Sequence, residues 1–199
     1  MSVDPETMAV YAERAKDYEA KFTNDRPSRN LQTFMELLPA EGRVLDFGCG
    51  HGGSAKFLAE AGFNVDAWDA SPEMLALDAP NARISVREAK FSDLDAFEFY
   101  DGVWCNFALL HAPREDMEIH LGSIFKALKP KGIFHLGMKL GSGSERDVLG
   151  RLYTYYGIEE LGGLLDAAGL EILNTEKGAE AGLAGPVERF VIIRAQKYG

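Results

Sequence analysis

The chain has 199 residues, with 21 Lys and Arg against 31 Asp and Glu and a formal net charge of −10. That length fits one domain with its own core and leaves little room for a separate substrate domain, and the acidic balance argues against DNA or RNA as a partner, which needs a Lys/Arg surface. No run approaches the ~18 apolar residues of a membrane span, Met1 to Glu6 lack the basic-then-apolar start of a secretory signal, and the two cysteines, Cys49 and Cys105, form no CxxC pair, so a reduced cytoplasm is the simplest location.

Asp4-Pro5 reads as a helix start, with Asp as cap and Pro in the first turn. Met8, Tyr11, Ala15, Tyr18 and Phe22 follow at spacings of 3, 4, 3 and 4, one apolar stripe on a helix. Asn24 to Pro27 breaks it. Ser28 caps a second helix with Leu31, Phe34, Met35 and Leu38 inward, stopped by Pro39. From Arg43 the period changes. Val44–Phe47 is a short apolar strand running into glycines. Residues 53–61 are a helix with Phe57, Leu58 and Ala61 inward, closed by Gly62. Val65–Asp69 is a second strand, Pro72–Asp78 a short helix, Ile84–Arg87 a third strand and Gly102–Phe107 a fourth. The pattern predicts a long helix over 114–129, ended by Pro130, and a fifth strand over Gly132–Met138. Gly141 to Ser144 reads as a flexible loop, and Ile158–Ala168 as a helix capped by Gly169. Leu170–Leu173 and Arg189–Ile193 read as strands joined by the Gly/Ala-rich stretch 178–186. Strands alternating with helices imply a mostly parallel sheet covered on both faces. The last two strands, with no helix between them, should pair antiparallel. Right-handed crossovers put the ligand crevice at the carboxyl ends of the strands.

The strongest local signal is Asp46-Phe47-Gly48-Cys49-Gly50-His51-Gly52-Gly53, which follows an apolar strand and opens a helix. Glycines let the backbone turn sharply and approach a ligand. Asp69 ends the next strand, where a carboxylate can accept from both hydroxyls of a ribose. Two cofactors compete. Gly48, Gly50 and Gly53 satisfy GxGxxG, the dinucleotide fingerprint, which would make the chain an NAD(P)-dependent oxidoreductase. A dinucleotide, however, sets pyrophosphate over this turn, where Asp46 is a poor neighbour. S-adenosylmethionine instead carries a sulfonium and an ammonium, and a carboxylate favours both.

The segment Asp46 to Gly52 resembles the (D/E)xGxGxG motif of class I S-adenosylmethionine-dependent methyltransferases, and the likeness runs across residues 43–139. Tyr100–Trp104, Leu109–Arg114 and Ala127–Gly132 are similar to small bacterial methyltransferases grouped with the tellurite-resistance enzymes. The resemblance implies an α/β, Rossmann-like fold with a seven-stranded sheet in the order 3-2-1-4-5-7-6, the seventh strand antiparallel, and helices on both faces. It divides one domain into a helical lid (1–41), a cofactor core (42–139) and an acceptor-side loop with the sheet's completion (140–199). It implies that Gly48, Cys49 and Gly50 line the methionine part with Asp46 near its ammonium. Asp69 holds the ribose, Ala70 lies beside the adenine, and Asn106-Phe107 lies under the transferable methyl. The loop Lys90 to Leu94 matches the adenine-reading loop. Many relatives carry Asp where this chain has Lys90, and since a Lys cannot accept from an amino group, the ring contact falls to the Phe91 amide. The product would be S-adenosylhomocysteine.

On the acceptor side, methyl transfer from a sulfonium needs alignment and exclusion of water, and a general base only when the acceptor arrives protonated. His111 follows the fourth strand at the crevice mouth, with an ordinary pKa near neutrality, and is the candidate base. Arg114 is the candidate anion binder. Lys139, Arg146 and Arg151 fall in segments near the same crevice, so an acidic shell with a locally basic pocket keeps an anionic acceptor open. Tyr11 and Tyr18 stand on the helix expected to be the lid. No His, Cys, Asp or Glu spacing resembles a metal site. The expected partner is a small-molecule acceptor, with the chain a monomer or homodimer. A non-catalytic S-adenosylmethionine-binding regulatory domain is the remaining alternative.

Overall fold

The computed structural model describes residues 4–76 and 81–198. Five parallel strands, β1 (Arg43–Phe47), β2 (Asn64–Asp69), β3 (Ile84–Glu88), β4 (Tyr100–Asn106) and β5 (Leu128–Lys139), form most of one sheet. Two strands paired antiparallel complete it, β8 (Leu170–Ala181) and β9 (Val187–Lys197), both following a small hairpin and a helix in the chain. The order is β3-β2-β1-β4-β5-β9-β8, which is 3-2-1-4-5-7-6 once the strands outside this sheet are set aside. The expected α/β Rossmann-like fold is the one observed.

The central strands are apolar on both faces because helices cover both. Val44, Val65 and Trp104 pack with Leu31 and Phe34 of α2 (Arg29–Glu36) and Ala55 and Leu58 of α3 (Gly53–Glu60). Leu45, Val103 and Phe134 pack on the other face with Leu121 and Ile124 of α5 (Met117–Ala127) and Leu161 and Leu165 of α6 (Ile158–Ala167). The alternation within β1, Val44 one way and Leu45 the other, is the period of two that a pleated strand imposes. Helix α1 (Pro5–Phe22) starts as expected, the Asp4 side chain accepting from the Thr7 amide at 2.8 Å. It is bent at Arg14, whose backbone is not helical. The short helix α4 is described over Pro72–Leu75; residues 77 and 78 of the expected helix lie outside the described residues.

Four expectations need correction. Helix α5 stops at Ala127 rather than at Pro130, and residues 114–116 form a separate 3-10 turn. The residue before a proline is pushed toward extended backbone, and the chain turns to strand already at Leu128. Ala61 is exposed at the end of α3, and Ala55 and Ala59 take the inward places with Leu58. The loop after Leu140 holds a two-stranded hairpin, β6 (Ser144–Arg146) with β7 (Leu152–Thr154). The Gly/Ala-rich stretch 178–186 is mostly strand: β8 and β9 stay paired out to Ala181 and Val187. Gly178 permits this, because a Cβ there would lie 2.3 Å from the Phe190 ring. Among the described residues no helix is long and apolar enough to cross a membrane.

Candidate active site

A cavity opens at the carboxyl ends of β1, β2 and β4, where a doubly wound sheet binds its ligands. It holds about 710 Å³ of empty space counted out to the open solvent. One end is the turn after β1. Gly48 and Gly50 have φ of +81° and +56°, conformations that cost a side-chain-bearing residue energy. The turn is pinned to β2 by the Gly48 and Cys49 amides, which donate to the Trp68 carbonyl at 2.8 and 2.9 Å. A Cβ on Gly48 would stand 2.3 Å from the Ala108 Cβ, so the turn and the segment after β4 approach through that missing methyl. Asp69 closes this end. Its carboxylate accepts from the Gly50 amide at 2.8 Å and the Ser71 amide at 2.9 Å, and burial raises its pKa.

Gly48, Gly50, Asp69, Ala70, Phe91, Asn106 and His111 line this cavity, so these expected site residues come together. Asp46 is buried, and neither it nor Cys49 is among the lining residues. The exposed Lys90 also stands outside the lining, its amide donating to the Asp93 carboxylate at 2.9 Å. Burial pushes the Cys105 thiol up to about 12, leaving it a neutral packing group. Arg114 does not reach the cavity. It pairs with Glu160, donates to the Tyr155 carbonyl and lies over the Tyr156 ring at 4.3 Å. The helix-like spacing of residues 114–129 gave no sign of these partners, which come from the segment just before α6 and from its first turn.

The other end of the cavity is built by α1, which contributes Thr7, Met8, Tyr11 and Tyr18. Of the two N-terminal helices only α1 faces the cavity, since α2 packs into the sheet core. The β6–β7 hairpin holds α1 in place. Arg146 meets Asp4 at 2.8 Å and Glu6 at 3.0 Å, and the Leu152 amide donates to Thr7 Oγ1 at 2.8 Å. Farther along, Lys21 Nζ donates to the Gly182 carbonyl at the β8–β9 turn.

His111 sits where these pieces meet. Its Nδ1 is 2.7 Å from the Leu152 carbonyl, which can only accept, so Nδ1 carries the hydrogen. Its Nε2 is 2.8 Å from the Tyr11 hydroxyl. Burial is the main cause of a pKa lowered to about 4, with Arg151 and Lys139 adding to it. The ring is therefore neutral and Nε2 accepts from Tyr11. Arg151 Nη1 in turn donates to the Tyr11 oxygen at 3.1 Å. Arg151, only 2% exposed, is neutralised by Asp147 at 2.6 Å. Asp147–Arg151–Tyr11–His111–Leu152 is thus one directed chain of hydrogen bonds.

Asn106 ends β4 in the cavity wall. His135 Nε2 lies 3.2 Å from its Oδ1, and a Cβ on Gly137 would come within 2.5 Å of that oxygen. His135 is itself stacked on Trp104 at 3.6 Å. Phe107 follows with φ of +58°, held by its amide bond to the Gly137 carbonyl at 3.0 Å and by edge-on contact with Phe190 at 5.5 Å. Among the described residues no group of His, Cys, Asp or Glu could hold a metal ion.

The residues fit S-adenosylmethionine better than a phosphate-bearing cofactor. The glycine turn presents bare backbone to the cavity, and the one formally charged lining side chain is a carboxylate, which attracts a cation and repels pyrophosphate. Comparison with known proteins agrees. Residues 44–132 match the family model described as a methyltransferase domain. The malonyl-[acyl-carrier protein] O-methyltransferase of Enterobacter lignolyticus is 28% identical over 137 residues, 66% of this chain and 53% of that protein. The chain therefore spans about half the length of that curated relative. The Burkholderia thailandensis 1,6-didemethyltoxoflavin-N1-methyltransferase, solved with its acceptor and S-adenosylhomocysteine, superimposes with a TM-score of 0.74. That match is 23% identical and covers 100% of this chain and 92% of the other. The Haemonchus contortus phosphoethanolamine N-methyltransferase 2 gives a TM-score of 0.78 at 17% identity, over 100% of this chain and 61% of that one. Residues 44–132 thus match a methyltransferase domain model, and the whole chain shares the fold of these solved methyltransferases.

Proposed function

We propose that the protein is an S-adenosylmethionine-dependent methyltransferase acting on a small-molecule acceptor. The observation that carries this reading is one cavity with two chemically different ends: a glycine turn closed by Asp69, and a Tyr11–His111 pair brought together by α1. Gly48, Gly50, Asp69, Ala70, Phe91 and Asn106 would hold the cofactor. When bound, S-adenosylmethionine supplies a methyl on a sulfonium, a good leaving group that asks the protein for alignment and dryness more than for acid–base force.

The chain's own work lies at the other end. Helix α1, held to the hairpin, excludes water. Tyr11 and His111 handle a proton when the acceptor arrives protonated. As the acceptor atom gains positive charge, its proton moves to the Tyr11 oxygen while the Tyr11 proton moves to His111 Nε2. His111 then releases a proton to solvent when the site opens. A histidine with a pKa near 4 is too weak to strip a neutral hydroxyl beforehand, yet strong enough to relieve an acceptor made acidic by alkylation. Arg114, committed to Glu160, has no part in this. We place the protein in a reducing cytoplasm, which suits its two buried thiols. The test is release of S-adenosylhomocysteine across thiol, amine, hydroxyl and oxyanion acceptors. Turnover of one class supports the reading, and tight cofactor binding with no turnover of any class favours a regulatory binding domain instead.

A further inference from the structure

His135 stands where a central strand calls for an apolar side chain. In β5 it lies directly across from Trp104 of β4 and Arg194 of β9, and it is 0% exposed. Its ring stacks on Trp104 at 3.6 Å and meets the Phe34 ring edge-on at 6.1 Å. Burying an imidazole there costs free energy unless its polar atoms are satisfied. Among the described residues it has one hydrogen-bond partner, Asn106, whose Oδ1 lies 3.2 Å from Nε2. Nδ1 has none.

The tautomer follows from this. A hydrogen on Nδ1 would leave a buried N–H unpaired. A hydrogen on Nε2 is donated to Asn106 and leaves only a lone pair on Nδ1. The buried Arg194 guanidinium, which donates to Glu176 Oε1 at 2.6 Å and to Asn30 Oδ1 at 2.7 Å, opposes a second proton on the ring, as burial does. His135 is thus a neutral donor with a fixed direction.

Asn106 is gripped between that donor and bare backbone. It sits opposite Gly137 in the β4–β5 register, and a Cβ on Gly137 would come within 2.5 Å of its Oδ1. The carbonyl arm is therefore turned into the wall. The other arm, the NH2, makes no hydrogen bond with the described residues and is not sealed from solvent. Asn106 lines the cavity, and His135 does not. An asparagine free to flip could offer its oxygen or its NH2 to a ligand; with its oxygen held, this one offers the NH2.

We infer that His135 is a positioning residue for the cofactor: it locks the Asn106 carboxamide so that the NH2 donates to an oxygen of the bound S-adenosylmethionine. This rests on the methyltransferase reading and adds to it a residue that never touches the ligand.

The test uses the full chain with S-adenosylhomocysteine, which keeps every oxygen of the cofactor. Nitrogen-15 NMR of histidine-labelled protein at pH 7 should show His135 protonated on Nε2 alone, and a hydrogen on Nδ1 overturns the inference. His135→Phe keeps a ring against Trp104 and removes the donor. Calorimetry should then show about tenfold weaker binding, the scale of one hydrogen bond. His135→Gln, which restores an N–H near the Nε2 position, should recover most of that loss. In an Asn106→Ala background the His135→Phe change should shift affinity by less than about twofold, because its effect runs through Asn106. Equal losses in both backgrounds, or wild-type affinity in a folded His135→Phe, overturn the inference. Asn106→Asp decides where His135→Phe fails to fold, since it leaves His135 in place, keeps an oxygen for it and removes the NH2. A loss of about tenfold supports the donor role, and wild-type affinity overturns it. Failure of the wild-type chain to bind S-adenosylmethionine or S-adenosylhomocysteine overturns the methyltransferase reading itself, an outcome set apart by an unaltered His135 tautomer.

Discussion

The Tyr11 hydroxyl donates to His111 Nε2 across 2.8 Å, joining residues 100 positions apart in the chain. The direction of that bond follows from the far side of the ring, where Nδ1 must donate to the Leu152 carbonyl. One contact therefore couples the lid helix, the loop after β4 and the β6–β7 hairpin.

Breaking it should separate chemistry from cofactor binding. Tyr11→Phe and His111→Gln are each expected to leave S-adenosylmethionine affinity within about twofold and to lower kcat by about a hundredfold, the low end of what a positioned proton acceptor contributes. Slowed turnover with calorimetric binding intact is the expected signature. Unchanged kcat in both variants would make the pair structural.

The same histidine sets a pH dependence. Its pKa is about 4 in the folded protein against an ordinary 6.5, so between those values the unfolded chain binds more protons. Stability contributed by keeping this ring neutral is fully present above about pH 6.5 and is lost as pH falls toward 4. Burial lowers His51, His120 and His135 as well, with the same sign. Urea unfolding at pH 7 and pH 5 should show a larger acid loss in the wild type than in His111→Gln. Equal losses would contradict the assigned protonation state.

Gly48→Ala should destabilise the fold and weaken the cofactor together. The new methyl meets the Ala108 Cβ at 2.3 Å on a backbone with φ of +81°, a combination that costs about 1–3 kcal/mol. Thermal unfolding and cofactor calorimetry on the same sample check it, and a mutant with wild-type values in both would show that the turn can relax.

Asp69→Ala removes the acceptor for the Gly50 and Ser71 amides and the carboxylate meant for the ribose. Loss of about 2 kcal/mol of S-adenosylmethionine binding is expected. Asp69→Asn, which keeps one carbonyl oxygen, should lose less.

The cofactor half was legible because its signals are local. Val44, Leu45 and Phe47 are apolar since both faces of β1 are covered, and Gly48 and Gly50 after them stand where φ is positive. Asp69 ends the adjacent strand. The acceptor half depends on contacts between distant segments. β6 and β7 are three residues each, and each residue of Ser144–Arg146 is exposed, so no apolar alternation announces a strand. Arg114, Lys139, Arg146 and Arg151 read as a basic cluster because nothing in their order shows that Glu160, Glu188, Asp4 and Asp147 fold against them. The stripe of Tyr11 and Tyr18 was visible as a helix face, but the link from Tyr11 to His111 was not.

The glycine turn and Asp69 are built to hold a cationic, phosphate-free nucleoside. Titration calorimetry of the purified chain with S-adenosylmethionine and with NADH tests it most directly. Saturable heat from S-adenosylmethionine that is reduced in Asp69→Ala, and none from NADH, is the expected result. Tight binding of NADH with no heat from S-adenosylmethionine would contradict it.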